Sequence, residues 1–245
     1  MRATPNAHCA ALFILSLMHL HLLAFFVPPC PSAVAGATDG IGKGLCFELA
    51  RRGLNVVLVS RSLTKLNEVA DELTAKYPKV STKVVAVDFS NFDAAAQGKV
   101  RSVVESLEVG TLINNVGMSY PYPTYFHELS HGDVQAMIAL NVTSTTIMTH
   151  LVLPSMVQRK RGAIVCISSA ASQLPANPLL AQYAAAKAYV DKSVGGKRME
   201  GRRGGRKTNK PAARAFSSSP FSVSDIARSN RCFFFPCPAC LLKVR

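Results

Sequence analysis

"AGATDGIGKG", residues Ala35–Gly44, sets Gly36, Gly40 and Gly42 between a short apolar run and the apolar-periodic segment "GIGKGLCFELARRG". Where a strand passes into a helix, such glycines let the backbone turn tightly and approach a pyrophosphate at the positive helix N-terminus. Gly36, Thr38, Asp39, Gly40, Ile41 and Gly42 are therefore the expected phosphate-binding set. A glycine triplet alone says little, and the segments after it decide the reading. The run "NVVLVS" (Asn55–Ser60) reads as a strand, and Arg61 follows it where the chain meets an adenosine ribose. A guanidinium there suits a 2′-phosphate, as a carboxylate suits a bare 2′-hydroxyl, so the expected cofactor is NADP(H) rather than NAD(H).

Outward from this turn, β-branched runs and helical periods alternate. "TKVVAVDF" (Thr82–Phe89), "TLINNV" (Thr111–Val116) and "GAIVCIS" (Gly162–Ser168) read as further buried parallel strands. Ser62 caps a helix whose stripe is Leu63, Leu66, Val69, Ala70 and Leu73, with Pro78 ending it. A second long helix covers 134–158, with Pro154 kinking it or marking its approach to an end. Strand and helix in this rhythm predict an α/β fold with a doubly wound parallel sheet.

The ends read differently. Ala10–Val27 is an 18-residue apolar run in which only Ser16, His19 and His21 are polar. At about 1.5 Å per residue it reaches about 27 Å, near the thickness of a thin bilayer core, so residues 1–31 are a candidate membrane anchor. A cleaved signal peptide is the rival, but the small-x-small site Ala33-Val34-Ala35 would cut into the glycine motif. The net charge of +14 is concentrated in residues 195–245, where 12 Lys/Arg face only Glu200 and Asp225; residues 1–194 carry +4. This Gly/Arg/Lys/Ser-rich stretch has no apolar period and reads as a disordered basic tail. Its "GRRGGRK" run lacks interleaved aromatic residues, which disfavours nucleic acid as a partner. The seven cysteines form no even framework, and Cys232, Cys237 and Cys240 have no tail histidine to complete a zinc set, so no metal is expected.

The Gly-x3-Gly-x-Gly turn, "NNVG" (Asn114–Gly117), Asn141 in "LNV", "ISS" (Ile167–Ser169) and Tyr183-x3-Lys187 occur in one order. Together they resemble the short-chain dehydrogenase/reductase family. "TDGIGK" and "NNVGMSYPYPTYF" are similar to its branch that reduces very-long-chain 3-oxoacyl-CoA, or 17β-hydroxysteroid ketones, at the endoplasmic reticulum. The resemblance spans Ala33–Lys192 and implies an NADP-dependent reductase of fatty acid elongation, anchored in the endoplasmic reticulum membrane with its core facing the cytosol. It leaves open whether the chain forms a homo-oligomer. It also implies roles: Tyr183 as general acid, Lys187 as its electrostatic partner and ribose ligand, Ser169 on the substrate oxygen, and Asn141 holding a relay water. Ser168 and Ser172 are alternatives to Ser169, because Ser169–Tyr183 is one residue longer than the family spacing. Asp88 would meet the adenine, and Asn115 and Gly117 would line the adenosine side. Tyr120, Tyr122, Tyr125 and Phe126 are either a packed loop or an acyl-facing wall. Asn141-Val142-Thr143 also spells a glycosylation acceptor, which a buried site would leave unmodified.

Two departures bear on activity. "PPCPSAVAG" puts three prolines where the first strand should begin, and proline removes ladder donors. After Val194 no further strand, substrate lid or final helix can be found, so the reductase core of residues 32–194 is expected to be incomplete. Alternative splicing or an imperfect gene model at both ends is the expected origin of this pattern. The competing expectation is an inactive relative that at most binds nucleotide.

Overall fold

A computed structural model describes residues 30–193 and the pair 242–243. The candidate anchor, the cysteine cluster and the basic run lie outside the described residues. Strand β1 is Ser32–Ala35, helix α1 Gly40–Arg51, β2 Val56–Ser60, α2 Leu63–Lys76, β3 Thr82–Ala86 and α3 Ala94–Ser106. They are followed by β4 Thr111–Asn114, α4 His131–Ile138, α5 Ser144–Gln158, β5 Ala163–Ile167, α6 Ala181–Ser193 and β6 Leu242–Lys243. The sheet order is β3-β2-β1-β4-β5-β6. Strands β1–β5 are parallel, and Leu242–Lys243 pairs antiparallel with Cys166–Ile167. Among the described residues no parallel strand follows β5, in line with the expected loss of the last strands, and only this two-residue pair lies beyond it. The pair meets two residues of β5, whose edge backbone groups offer it hydrogen-bond partners.

The prolines do not prevent β1 from lying at the centre of the sheet. Pro31 ends just before the strand, so its missing N–H removes no ladder bond, while its carbonyl still accepts from Gly110 N at 2.9 Å. Ser32 N donates to Asn55 O at 2.8 Å, and all four β1 residues are buried.

Side-chain alternation divides the core between the two faces of the sheet. On one face Val34, Leu58, Ile113 and Val165 meet Leu45, Cys46 and Leu49 of α1 and Leu66, Val69 and Leu73 of α2. On the other, Ala33, Val57, Leu112 and Ile164 meet Val100 and Val104 of α3, Met148, Val152 and Met156 of α5, and Val190 of α6. Leu63, read as part of the α2 stripe, is exposed. It occupies the first helical position after the Ser62 cap, whose Oγ accepts from Lys65 N, and the stripe starts one turn later.

The long helix of 134–158 is instead three joined pieces, α4, a π-helical turn at Ala139–Thr143, and α5, which runs through Pro154 to Gln158. Taken as one helix, His131–Gln158 is long and apolar enough to cross a membrane by length and composition. Its Met148, Val152 and Met156 are nevertheless core residues beneath the sheet.

One ion-pair cluster fastens the end of α1. Glu48 is buried and accepts from Arg51 Nε at 2.8 Å, Arg51 Nη2 at 2.7 Å and Arg52 Nε at 2.7 Å. The Arg51 hydrogen bonds, joined by Arg52, hold its carboxyl below the usual carboxylate range. A depressed folded-state pKa contributes stability above the unfolded value and loses it as pH falls through the folded one. Glu48→Gln should therefore lower unfolding free energy near neutral pH by roughly 1–3 kcal/mol. Urea melts should show this deficit vanishing as the pH falls below the ordinary carboxylate range.

Candidate active site

The carboxyl ends of β1 and β4 form the crevice where the strand order reverses, the place where doubly wound sheets take ligands. Gly36 leaves β1 with φ +78°, and Gly40 opens α1 with φ +50°. A side chain on Gly42 would fall on the Gly36 carbonyl oxygen and lie 2.5 Å from Asn115 Nδ2. Asn115 closes the turn from the β4 side, donating from Nδ2 to Gly36 O at 3.1 Å. Thr38 Oγ1 and Ser60 Oγ are 3.0 Å apart, linking the turn to the end of β2. Asp39 caps α1, its Oδ1 accepting from Gly40 N at 2.7 Å, and Ile41 in the first turn is exposed.

Arg61 follows β2 and Asp88 follows β3, near enough for the Arg61 charge to act on the Asp88 carboxyl. Asp88 does not end the third strand as expected: β3 stops at Ala86, and Asp88 caps the short helix at Phe89–Asn91. Its Oδ1 accepts from Ser90 N at 2.9 Å and Ser90 Oγ at 2.7 Å. Those two bonds hold its carboxyl below the usual range, with a smaller contribution from the Arg61 charge. Arg61 is exposed, next to Ser60.

On the other side of the crevice, the π-turn, β5 and α6 converge. Asn141 is fully buried and donates from Nδ2 to Met118 O and Met137 O, each at 3.0 Å. Its Oδ1 is buried with no hydrogen-bond partner. Such a side chain gives no access for glycosylation while the chain is folded. Lys187, only 6% exposed, donates from Nζ to Ile167 O at 3.1 Å and stands 5.9 Å from the Tyr183 ring centroid. A buried cation needs such partners, because leaving water costs it several kcal/mol. Gly117 makes this convergence possible: a side chain there would lie 2.7 Å from Asn141 Oδ1 and 2.9 Å from Lys187 Nζ.

The three candidate serines differ in what they bind. Ser168 Oγ donates to Lys187 O at 2.9 Å and fastens α6 to the end of β5. Ser172 Oγ donates to Ser169 O at 2.7 Å. Ser169 Oγ accepts from Ala171 N at 3.3 Å, capping the short 3-10 helix Ala170–Gln173, and its own proton remains available to donate. Tyr183 is half-buried one turn before Lys187. In the aromatic loop Tyr120 is half-buried and accepts from Gln182 N at 3.1 Å, whereas Tyr122, Tyr125 and Phe126 are exposed. The sequence gives Ser60 no task and Tyr120 only that of a packed loop or an acyl-facing wall; the one signal for its bond to Gln182 is the lack of a capping side chain just ahead of "AQY".

A sequence profile described as short chain dehydrogenase matches residues 32–205. The chain is 48% identical over 162 residues to the very-long-chain 3-oxoacyl-CoA reductase of Bos taurus, covering 65% of this chain and 51% of that protein. It is 46% identical over 160 residues to the inactive hydroxysteroid dehydrogenase-like protein 1 of Homo sapiens, covering 65% of this chain and 48% of that one. The chain thus spans about half the length of the curated relatives it matches. Among solved structures, a short-chain dehydrogenase from Sphingobium yanoikuyae in complex with NADPH is 30% identical with a TM-score of 0.62, covering 68% of this chain and 63% of that one.

Both tight glycines should resist Gly→Ala. At Gly42 the methyl meets backbone, which cannot yield locally, and at Gly117 it meets Asn141 and Lys187, which burial and hydrogen bonds hold in place. Each variant should lose roughly 1–3 kcal/mol of stability. Chemical denaturation of both variants checks this.

Proposed function

Because the chain belongs to the short-chain dehydrogenase family, we propose that it is an NADPH-dependent reductase of a lipid ketone, with a long-chain 3-oxoacyl-CoA as substrate. The observation that carries this reading is the buried Lys187 beside the Tyr183 ring, one helical turn apart and facing the crevice lined by Gly117 and Asn141. The crevice fits a dinucleotide: the bare backbone at Gly36 and Gly42 stands at the positive end of α1, and Asn141 carries an unused buried acceptor. A bound reduced nicotinamide would supply the hydride.

The chain's own residues then have separate tasks. Tyr183 donates its phenolic proton to the carbonyl oxygen as negative charge develops there. Ser169 donates a hydrogen bond to the same oxygen. The Lys187 ammonium offsets the charge left on the phenol and would hold the ribose hydroxyls of a bound dinucleotide. Asn141 Oδ1 accepts from a water through which the proton is replaced. At the other end Arg61 would pair with the 2′-phosphate, Asp88 would meet the adenine and Asn115 would border the adenosine, whereas Gly117, expected on that side, lies beside Asn141 and Lys187. The substrate class follows the very-long-chain 3-oxoacyl-CoA reductases at 48% identity. Ala10–Val27 would hold the chain at the endoplasmic reticulum membrane with the core of residues 32–194 on the cytosolic side, a reading supported by the length and composition of that segment.

A second reading is a nucleotide-binding relative without turnover. Its support is the 46% identity to a human protein named inactive, over about half that protein's length. Absorbance of the reduced nicotinamide should fall on adding a long-chain 3-oxoacyl-CoA to the full chain. Tyr183→Phe should slow this about 10²–10⁴-fold while nucleotide binding persists. Saturable NADPH binding with no turnover of acyl-CoA or 17β-keto steroid would favour the second reading. Arg61→Ala should weaken NADPH binding roughly tenfold or more, the loss of one charge-assisted contact, and leave NADH binding unchanged by titration calorimetry.

A further inference from the structure

We infer that Tyr120 is a positioning residue for Tyr183, acting as a cap supplied from outside the helix that carries it; this rests on the catalytic reading of Tyr183. The first N–H groups of any helix have no acceptor inside it and need one from elsewhere. Most helices here supply their own: Ser62 accepts from Lys65 N, Asp93 from Ala96 N, and Ser130 from Asp133 N. Helix α6 starts at Ala181 directly after the 3-10 turn Pro178–Leu180, and Asn177 ahead of that turn makes no side-chain cap bond. Gln182 N, in its first turn, donates instead to the Tyr120 hydroxyl at 3.1 Å, across 62 residues of sequence.

Tyr120 belongs to the loop leaving β4, and the same loop is fixed at Met118, whose carbonyl accepts from Asn141 Nδ2 at 3.0 Å. A second loop bond, Thr124 N to Leu179 O at 3.0 Å, fastens the approach to α6. The segment 118–120 is thus a strut with Asn141 at one end and the residue preceding Tyr183 at the other. Helix α6 carries Tyr183 in its first turn, where helices fray, while Lys187 one turn later is fixed by Ile167 O and Ser168. Without Tyr120, Tyr183 would move relative to a Lys187 that stays in place.

The test is Tyr120→Phe, which keeps the ring and removes only the hydroxyl, in the full chain. Hydrogen exchange of the Gln182 amide should quicken about 3–10-fold, as loss of one cap implies, with sheet amides unchanged. In protein labelled with 3-fluorotyrosine, the Tyr183 resonance, identified by its absence in Tyr183→Phe, should shift and broaden. With a ketone substrate, kcat should fall by a similar factor at unchanged KM for NADPH. Unchanged exchange at Gln182 and an unchanged fluorine resonance would overturn the inference, as would faster exchange spread evenly over the sheet. If the parent chain turns over no ketone, the proposed function fails, while the exchange and fluorine measurements still decide the role of Tyr120.

Discussion

The close approach of two backbones at the end of β1 is the constraint on which this structure depends. Gly42 in α1 lies so near the Gly36 carbonyl that no side chain fits between them, and Asn115 closes the same contact from β4. That contact brings the positive end of α1 to the point where the sheet order reverses, and leaves bare backbone there. The alternation of the strands supplies the two apolar faces that hold the helices in place. Every later feature of the crevice is built outward from this fixed point.

Opposite it stands a polar assembly that the core encloses. Asn141 sits in a π-turn, where an extra residue per turn re-aims a side chain, and its two amide donors are used by Met118 and Met137. Lys187 is held by the carbonyl of Ile167 at the end of β5, and Ser168 ties the backbone of α6 to the same strand end. Gly117 is the point at which both can come close. Two glycine contacts, one made by backbone and one by side chains, thus frame the crevice.

Much of this was legible in the residues. Val56–Ser60 and Ala163–Ile167 were readable because β-branched runs bounded by turns have few other uses, and Tyr183-x3-Lys187 because positions four apart share a helix face. Errors arose where a local rule met a longer-range one. The prolines before β1 argued against a central strand, yet Pro31 stops one residue short of the ladder and its carbonyl still accepts from Gly110. Leu63 matched the helical period, but a first-turn residue beyond a cap points away from the core. The third strand reads to Phe89 in the sequence, whereas β3 stops at Ala86 and Asp88 Oδ1 caps the short helix that follows.

The sequence by itself determined the element order, the glycine turn and the Tyr/Lys pair, because each is a matter of spacing along one segment and of the backbone conformations its residues permit. Only the tertiary structure decided which of three serines keeps a free proton, which aromatic of the 120–126 loop turns inward, and what caps the helix of Tyr183. Those outcomes depend on hydrogen bonds between residues far apart in the chain, such as Tyr120 with Gln182 and Ser168 with Lys187. No spacing rule encodes them, since each donor finds its acceptor only after the sheet has brought the two segments together.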